Sequence, residues 1–395
     1  MTTGQHVRSR PRLLFAAVSL QAGAGGIAEL SRQVVRALVE LHRQERIQLE
    51  IRVLEGSGLS ADDALLGSVA GIRMRWYAGR RWRFALGLVC ARCDMQLLDH
   101  LGLARVPSLI PLSAVRNYMV LIHGVELLGR RRADYLRAAR RARLLIANSE
   151  YTRCRVRERF PDLPRIEVCW PGKDPGGASR PRAQDFPCPI GPHAMLIVGR
   201  MSSEQRHKGH DQLIQALPSI LRSVPDAQLV IAGAGDDQAR LEAMVERHKL
   251  QAHTVFTGWV EESRLGDLYT QCALFVMPSQ GDGFGLVFLE AMMHRLPCVG
   301  LEESAAAEIF GEECSGVLVD REHLEAMADI LAELLQDEER RKRLGEAGYE
   351  RYQKHFRAPH FARKLQAIVV GCLTGEPAIL GKGSQAAHSG GPSAT

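Results

Sequence analysis

No apolar stretch in the 395-residue sequence approaches the ~18 residues that a membrane-spanning helix requires, so a chain built on such helices is excluded. No short-period repeat is visible. Collagen-like, coiled-coil and largely disordered architectures do not fit 46% hydrophobic and 24% charged residues. A cysteine framework is also missing. The nine cysteines are odd in number, and several, such as Cys272 in QCALFVMP and Cys298 in LPCVG, sit inside apolar runs. That pattern suits small buried hydrophobes in a reducing compartment and argues against disulfides. Cys90-x-x-Cys93 supplies half of a zinc pattern, but neither a second close pair nor a His-x-x-x-His follows it, so no metal is expected. Lysine is nearly absent from the first half: Lys173 is the only one among residues 1–190.

Arginine carries the basic charge instead. Residues 1–190 hold 31 Lys+Arg against 17 Asp+Glu, whereas residues 191–395 hold 20 against 28, so a net +6 hides a basic half and an acidic one. Clusters stand at Arg73, Arg75, Arg80, Arg81 and Arg83, at Arg130 to Arg132, and at Arg137, Arg140, Arg141 and Arg143. The asymmetry points to an anionic partner for the first half. A membrane surface or a lipid-linked phosphate fits; nucleic acid is open on charge alone, but no nucleic-acid partner is expected. The plain alternative is an arginine-rich composition with solvated faces. Arg8, Arg10 and Arg12 before LLFAAVSL, with Ala22-Gly23-Ala24 beyond, permit a signal peptide. The apolar run is only eight residues, and a first buried strand feeding a glycine-rich turn is the better reading.

The length accommodates two domains. Short apolar runs at 12–19, 49–54, 94–98, 118–122, 143–147, 195–199, 228–232, 253–257, 273–277 and 297–300 read as strands. Helical periodicity lies between them: Ile27, Leu30, Val34, Val35, Leu38 and Leu41 share one face, as do Leu213, Ile214, Leu217 and Leu221. Such alternation implies parallel sheets covered on both faces. The expected division is a first domain over 1–175, a Pro- and Gly-rich linker over 176–194 and a second domain over 195–355. A terminal helix over 356–373 is expected to pack back on the first domain, and 374–395 reads as a disordered tail.

Three segments carry chemistry. In PSQGDGFGLVFLEAMM, a strand ends at Pro278, a loop holds Gly281, Asp282, Gly283 and Gly285, and a helix begins near Phe284 to Leu286 with Glu290 on it. Strand ends and helix N-termini of open α/β sheets bind phosphate, and two acids eight residues apart can grip the hydroxyls of a sugar and a ribose. After a second strand, Gly199-Arg200 and Lys208-Gly209 bring two cations suited to a diphosphate. After the first strand, Gly23-x-Gly25-x-x-Ala28, with Glu50 further on, matches the dinucleotide fingerprint and keeps a nicotinamide oxidoreductase open.

The segment from Pro278 to Gly300 resembles the E-x7-E signature of retaining GT-B glycosyltransferases of family 4 (glycosyl transferases group 1). The resemblance extends to about residue 373 and is strongest over 195–300. It implies an α/β fold of two doubly wound Rossmann-like domains facing across a cleft, and transfer of a hexose from a UDP- or GDP-linked sugar without metal or cofactor. It also implies roles. Glu290 would hold ribose, Asp282 would face the donor sugar, and Arg200 and Lys208 would stabilise the leaving diphosphate. Gly25, Gly26, Gly283, Phe284, Gly285 and Leu286 would bring backbone to the donor, with Gly233 and Gly235 near the base and Phe256 to Val260 beside it. His123, after strand Tyr118 to Ile122, would position the transferred sugar, and Asn148-Ser149 reads as an architectural cap.

Two departures from the family pattern stand out. The first acid is Asp instead of Glu, and Ser304-Ala305-Ala306-Ala307-Glu308 keeps a glutamate but lacks the usual glycine pair. A non-catalytic relative acting as partner or regulator is the alternative these leave. The expected setting is cytoplasmic, with an anionic membrane surface and a glycan or lipid-diphosphate acceptor as partners in surface polysaccharide assembly.

Overall fold

Apolar runs bounded by polar, glycine-containing turns become the strands of two parallel sheets. The computed structural model describes residues 10–61, 63–109, 117–129, 132–174, 189–204, 206–312, 315–320 and 323–375. Most of the linker expected at 176–194 and nearly all of the expected tail lie outside these residues, as do Arg130, Arg131, Cys188 and Cys314. The first sheet contains β1 (Arg12–Ala17), β2 (Gln48–Val53), β3 (Arg73–Trp76), β4 (Met95–Leu98), β5 (Tyr118–Ile122), β6 (Leu144–Ala147) and β7 (Ile166–Val168). The second contains β8 (Ala194–Val198), β9 (Gln228–Ala232), β10 (Thr254–Gly258), β11 (Leu274–Met277), β12 (Cys298–Leu301) and β13 (Val317–Val319).

The orders are β3-β2-β1-β4-β5-β6-β7 and β10-β9-β8-β11-β12-β13. In each sheet the order reverses beside its first strand, which opens a crevice at the carboxyl ends of β1 and β4 in one and of β8 and β11 in the other. The LLFAA run is the buried centre of the first sheet. Three strands go beyond the apolar runs: β3, β7 and β13. All three are edges, short and partly exposed, so they lack a continuous apolar run.

Helices cover both faces. The helix Gly26–Arg43 buries Leu30, Val34, Leu38 and Leu41 against the first sheet, with Ile27 half-buried at its start. The chain closes with two helices, Glu338–His355 and Ala358–Thr374, with Pro359 in the first turn of the second. The break lets them serve different domains. Tyr352 and Phe356 complete the second domain's core, whereas Phe361, Leu365, Ile368 and Val369 enter the first domain's core beside Leu30, Val34 and Leu38. Gln366 adds a bond from its Nε2 to the Ala37 carbonyl at 2.9 Å.

Leu365 is fully buried. Leu365→Ala should therefore cost about 2–5 kcal/mol, and the loss should fall on the first domain. Urea unfolding followed by proteolytic fragments checks this: cleavage should rise first within residues 10–174. Earlier cleavage confined to the second domain would contradict the packing.

Candidate active site at the facing strand ends

The loop after β11 and the turn after β8 meet at the second crevice. The turn Arg206–Lys208 leads into the helix His210–Ser223, and Gln280 donates its N–H to the His207 carbonyl at 3.0 Å, tying loop to turn. Asp282 sits in that junction. Lys208 Nζ lies 3.2 Å from both carboxylate oxygens, His207 Nε2 is 3.7 Å from Oδ1, and Ser279 Oγ donates to Oδ2 at 2.6 Å. Burial pushes the Asp282 carboxyl up, but hydrogen bonding to His207, the Lys208 charge and Ser279 outweigh it and hold the group well below the usual carboxylate range. Asp282 is thus an ionised hydrogen-bond acceptor. Arg200 is exposed and makes no ion pair or hydrogen bond with another described residue.

Gly285, at φ +97°, caps the helix Leu286–Met293, on which Glu290 lies two turns into the chain from Asp282. Glu290 is gripped on both oxygens: Tyr269 Oη donates to Oε2 at 3.0 Å, and Lys173 Nζ stands 3.2 Å from Oε1. Phe284 is buried and packs on Phe356 at 6.0 Å. Gly233 and Gly235 stand where backbone crosses backbone. A Cβ on either would overlap the carbonyl of Gly199 or Met201, so they shape the turn that carries Arg200. Trp259, in the Phe256 to Val260 segment, is 66% exposed.

The first domain faces this crevice directly. An added Cβ on Gly25 would stand 3.9 Å from the Arg200 guanidinium, and one on Gly26 would stand 3.9 Å from Leu286 Cδ1. Gly283 approaches so closely that a Cβ would overlap the His123 carbonyl, and its own carbonyl accepts Ser149 Oγ at 2.5 Å and Thr152 Oγ1 at 3.2 Å. Ser149 is the cap of the helix Glu150–Arg159, so the Asn148-Ser149 segment also joins the domains. Glu308 reaches the same helix start from the second domain. Its carboxylate accepts the N–H groups of Glu150 at 2.6 Å and Tyr151 at 3.0 Å, and Trp170 Nε1.

His123 is only 7% exposed, and its Nε2 lies 2.7 Å from the Asp99 backbone carbonyl, to which it donates. Its N–H donates to Glu126 Oε2 at 3.0 Å, and its ring stacks on His100 at 6.2 Å. Asp99 is fully buried at the end of β4, where Oδ2 accepts Val18 N–H at 2.8 Å and Ser31 Oγ at 3.0 Å. Burial raises its carboxyl to about 6. Sequence reasoning missed Asp99, Glu126, Tyr269, His207 and Lys173 as site residues. Only Lys173 carried a signal, as the lone lysine of its half. Glu50, the acid of the dinucleotide fingerprint, lies in the first half of β2, bound to Arg52 at 2.7 Å and Arg75 at 3.6 Å, away from the strand end where a ribose acid belongs. Among the described residues there is no cluster of three or more His, Cys, Asp or Glu that could hold a metal, and no helix long and apolar enough to cross a membrane.

Comparison with known proteins gives concordant matches. Residues 186–351 match the model of the family described as glycosyl transferases group 1. A GDP-mannose-dependent alpha-(1-6)-phosphatidylinositol monomannoside mannosyltransferase of Mycobacterium tuberculosis is 31% identical over 235 residues, 56% of this chain and 60% of that protein. The lipopolysaccharide core biosynthesis mannosyltransferase LpsB of Rhizobium meliloti is 29% identical over 182 residues, 44% of this chain and 51% of the relative. The chain thus spans about half to three fifths of the length of these curated relatives. In fold, sucrose-phosphate synthase of Thermosynechococcus elongatus superposes with TM-score 0.73 at 19% identity, over 93% of this chain and 100% of that one. Anabaena HepE in complex with UDP gives 0.67 at 17%, over 91% and 99%.

The raised Asp99 carboxyl sets a pH dependence. A folded value of about 6 against 3.8 means that its contribution is fully present below pH ~3.8 and lost as pH rises through about 6, a swing of ~3 kcal/mol. Asp99→Asn removes that titration. The variant should melt close to wild type near pH 4 and clearly above it near pH 7.5; an equal difference at both pH values would contradict the assignment.

Proposed function

Because the chain belongs, through residues 186–351, to the glycosyl transferases group 1 family and has the GT-B fold, we propose that it transfers a hexose from a UDP- or GDP-linked sugar to an acceptor hydroxyl, with retention of configuration. The observation that carries this reading is the convergence of Arg200, Lys208, Asp282 and the helix start at Leu286 on one strand-end crevice facing the Gly25–Gly26 turn. Glu290 grips the ribose. Arg200 and Lys208 neutralise the diphosphate, and the amides at Phe284 to Leu286 add donors aimed at its growing charge. Lys208 has three N–H donors, enough to hold Asp282 and a phosphate oxygen together. Asp282, kept ionised, accepts hydrogen bonds from the sugar hydroxyls, and His123 positions the transferred sugar from the first domain. The bond from the anomeric carbon to the diphosphate breaks as the bond to the acceptor oxygen forms on the same face, and the acceptor proton passes to the departing diphosphate. The two cations do the charge work, so no divalent metal or cofactor is required.

The acceptor in this reading is a glycan or lipid-linked diphosphate in surface polysaccharide assembly, reached at the cytoplasmic membrane face. A groove of about 670 Å³ in the first domain supports it. Arg81, Trp82, Arg105, Leu109 and Tyr135 line it, and it runs to His100, the ring stacked on His123. Its mouth is amphipathic. On the helix Arg81–Val89, Trp82 is 66% and Leu86 56% exposed beside Arg80, Arg81 and Arg83, and Leu109 nearby is 64% exposed. Apolar tips flanked by arginines suit an anionic lipid surface.

Thermal-shift titration with UDP, GDP, their sugar conjugates and NAD(P) tests the donor site, with GDP-mannose first because of the mannosyltransferase relatives. One nucleotide sugar should raise the melting temperature in wild type and not in Glu290→Ala. Turnover should fall about 10²–10³-fold in Arg200→Ala and be unchanged by EDTA. No shift with any sugar nucleotide would favour a non-catalytic relative, and a shift with NAD(P) alone an oxidoreductase.

Vesicle sedimentation tests the membrane face. Wild type should bind anionic vesicles at low salt and release them as salt rises, and Trp82→Glu should bind several-fold less. Wild type that stays in the supernatant at low salt would remove the membrane contact.

A further inference from the structure

Lys173 lies in the connection between the domains, yet its side chain ends inside the second domain's crevice. It is 9% exposed, and its Nζ reaches Glu290 Oε1 at 3.2 Å. Its backbone is fixed on both sides: the N–H donates to the Phe356 carbonyl at 2.9 Å, and the carbonyl accepts Tyr352 Oη at 2.8 Å. Gly172, beside it, donates its N–H to Gln33 Oε1 of the first domain's Gly26–Arg43 helix at 3.1 Å. A Cβ on Gly172 would press on Ala358 Cα at 2.7 Å and the Arg357 carbonyl at 2.8 Å, so this backbone leaves no room to shift. A long, mobile side chain is therefore launched from an immobile base.

An ammonium and a carboxylate removed from most of their water hold each other in a defined place, because breaking the pair strands a charge. Tyr269 Oη holds the other Glu290 oxygen at 3.0 Å, with its ring packed on Phe275 and His294. A carboxylate offers about four acceptor sites, so Glu290 can be held by its neighbours and still grip a vicinal diol. We infer that Lys173 is a positioning residue for the donor's ribose, acting through Glu290, so that the interdomain connection sets nucleoside affinity. The inference rests on the reading of Glu290 as the ribose ligand.

Calorimetric titration of the full chain with GDP and UDP, each beside its 2′,3′-dideoxy form, tests it. Wild type should bind one ribonucleotide about ten-fold or more tightly than its dideoxy counterpart. Lys173→Met should weaken the ribonucleotide by a similar factor and leave the dideoxy form unchanged, and Lys173→Arg should restore most of the loss. Equal weakening of both forms, or no change in either, overturns the proposal, since a merely structural lysine does not distinguish them. Lys173→Gln, which keeps a donor and drops the charge, carries the same test if the Met variant does not fold. Glu290→Gln separates the two readings. If it keeps the full ribose preference, the assignment of Glu290 fails. If it loses that preference while Lys173→Met retains it, only the role of Lys173 fails. Binding of neither nucleotide by wild type overturns both.

Discussion

The backbone of Gly283 lies against the carbonyl of His123, and the arrangement of both halves of the site follows from that contact. Each sheet builds its own crevice at a reversal of strand order, but a crevice alone is only half a pocket. The missing side chain at Gly283 lets the loop of one domain touch the strand end of the other, where Ser149 and Thr152 take its carbonyl. Once that contact is made, Arg200 and Leu286 necessarily face the Gly25–Gly26 turn. Glu308 adds a second clamp on the same helix start, and burial raises its carboxyl while the Glu150 and Tyr151 amides oppose the shift.

Arginine serves two ends in the first domain. Some of it is structural: Arg32 is buried against Asp63 at 2.7 Å, and Arg52 against Glu50. Such residues contribute to the charge count without offering charge to a partner. Arg80 and Arg81 are exposed and form no ion pair with another described residue, and Arg83 lies over the Trp82 ring at 5.0 Å. The composition records the sum of both groups. Only the structure separates the paired from the available, and among the available Arg80, Arg81 and Arg83 stand beside exposed tryptophan and leucine.

The central strands were legible because a parallel strand buried on both faces must be apolar along its whole length, as LLFAA and LFVM are. Edges such as Arg73–Trp76 have one neighbour and a wet side, so RMRW carries no such run. The loop residues were legible for a related reason: glycine and a fixed charge directly after an apolar strand have few structural explanations. What was hidden is tertiary. Lys173 and Tyr269 stand 117 and 21 positions from Glu290 in sequence and meet it only after folding. Asp99 carries no signal of its own in the sequence, because its burial beneath Val18 and Ser31 depends on contacts 81 and 68 residues away.

That final helix has a consequence for synthesis. Phe361, Leu365, Ile368 and Val369 belong to the core of the first domain, yet they are translated only after the whole of the second. Until they arrive, the part of the Gly26–Arg43 helix that meets them, on the side away from the sheet, is left uncovered. The first domain therefore cannot finish folding while nascent and must wait through the whole of the second. A chain stalled or cleaved before residue 358 exposes leucine and valine to its neighbours, so the topology ties the first domain's solubility to synthesis of the Ala358–Thr374 helix.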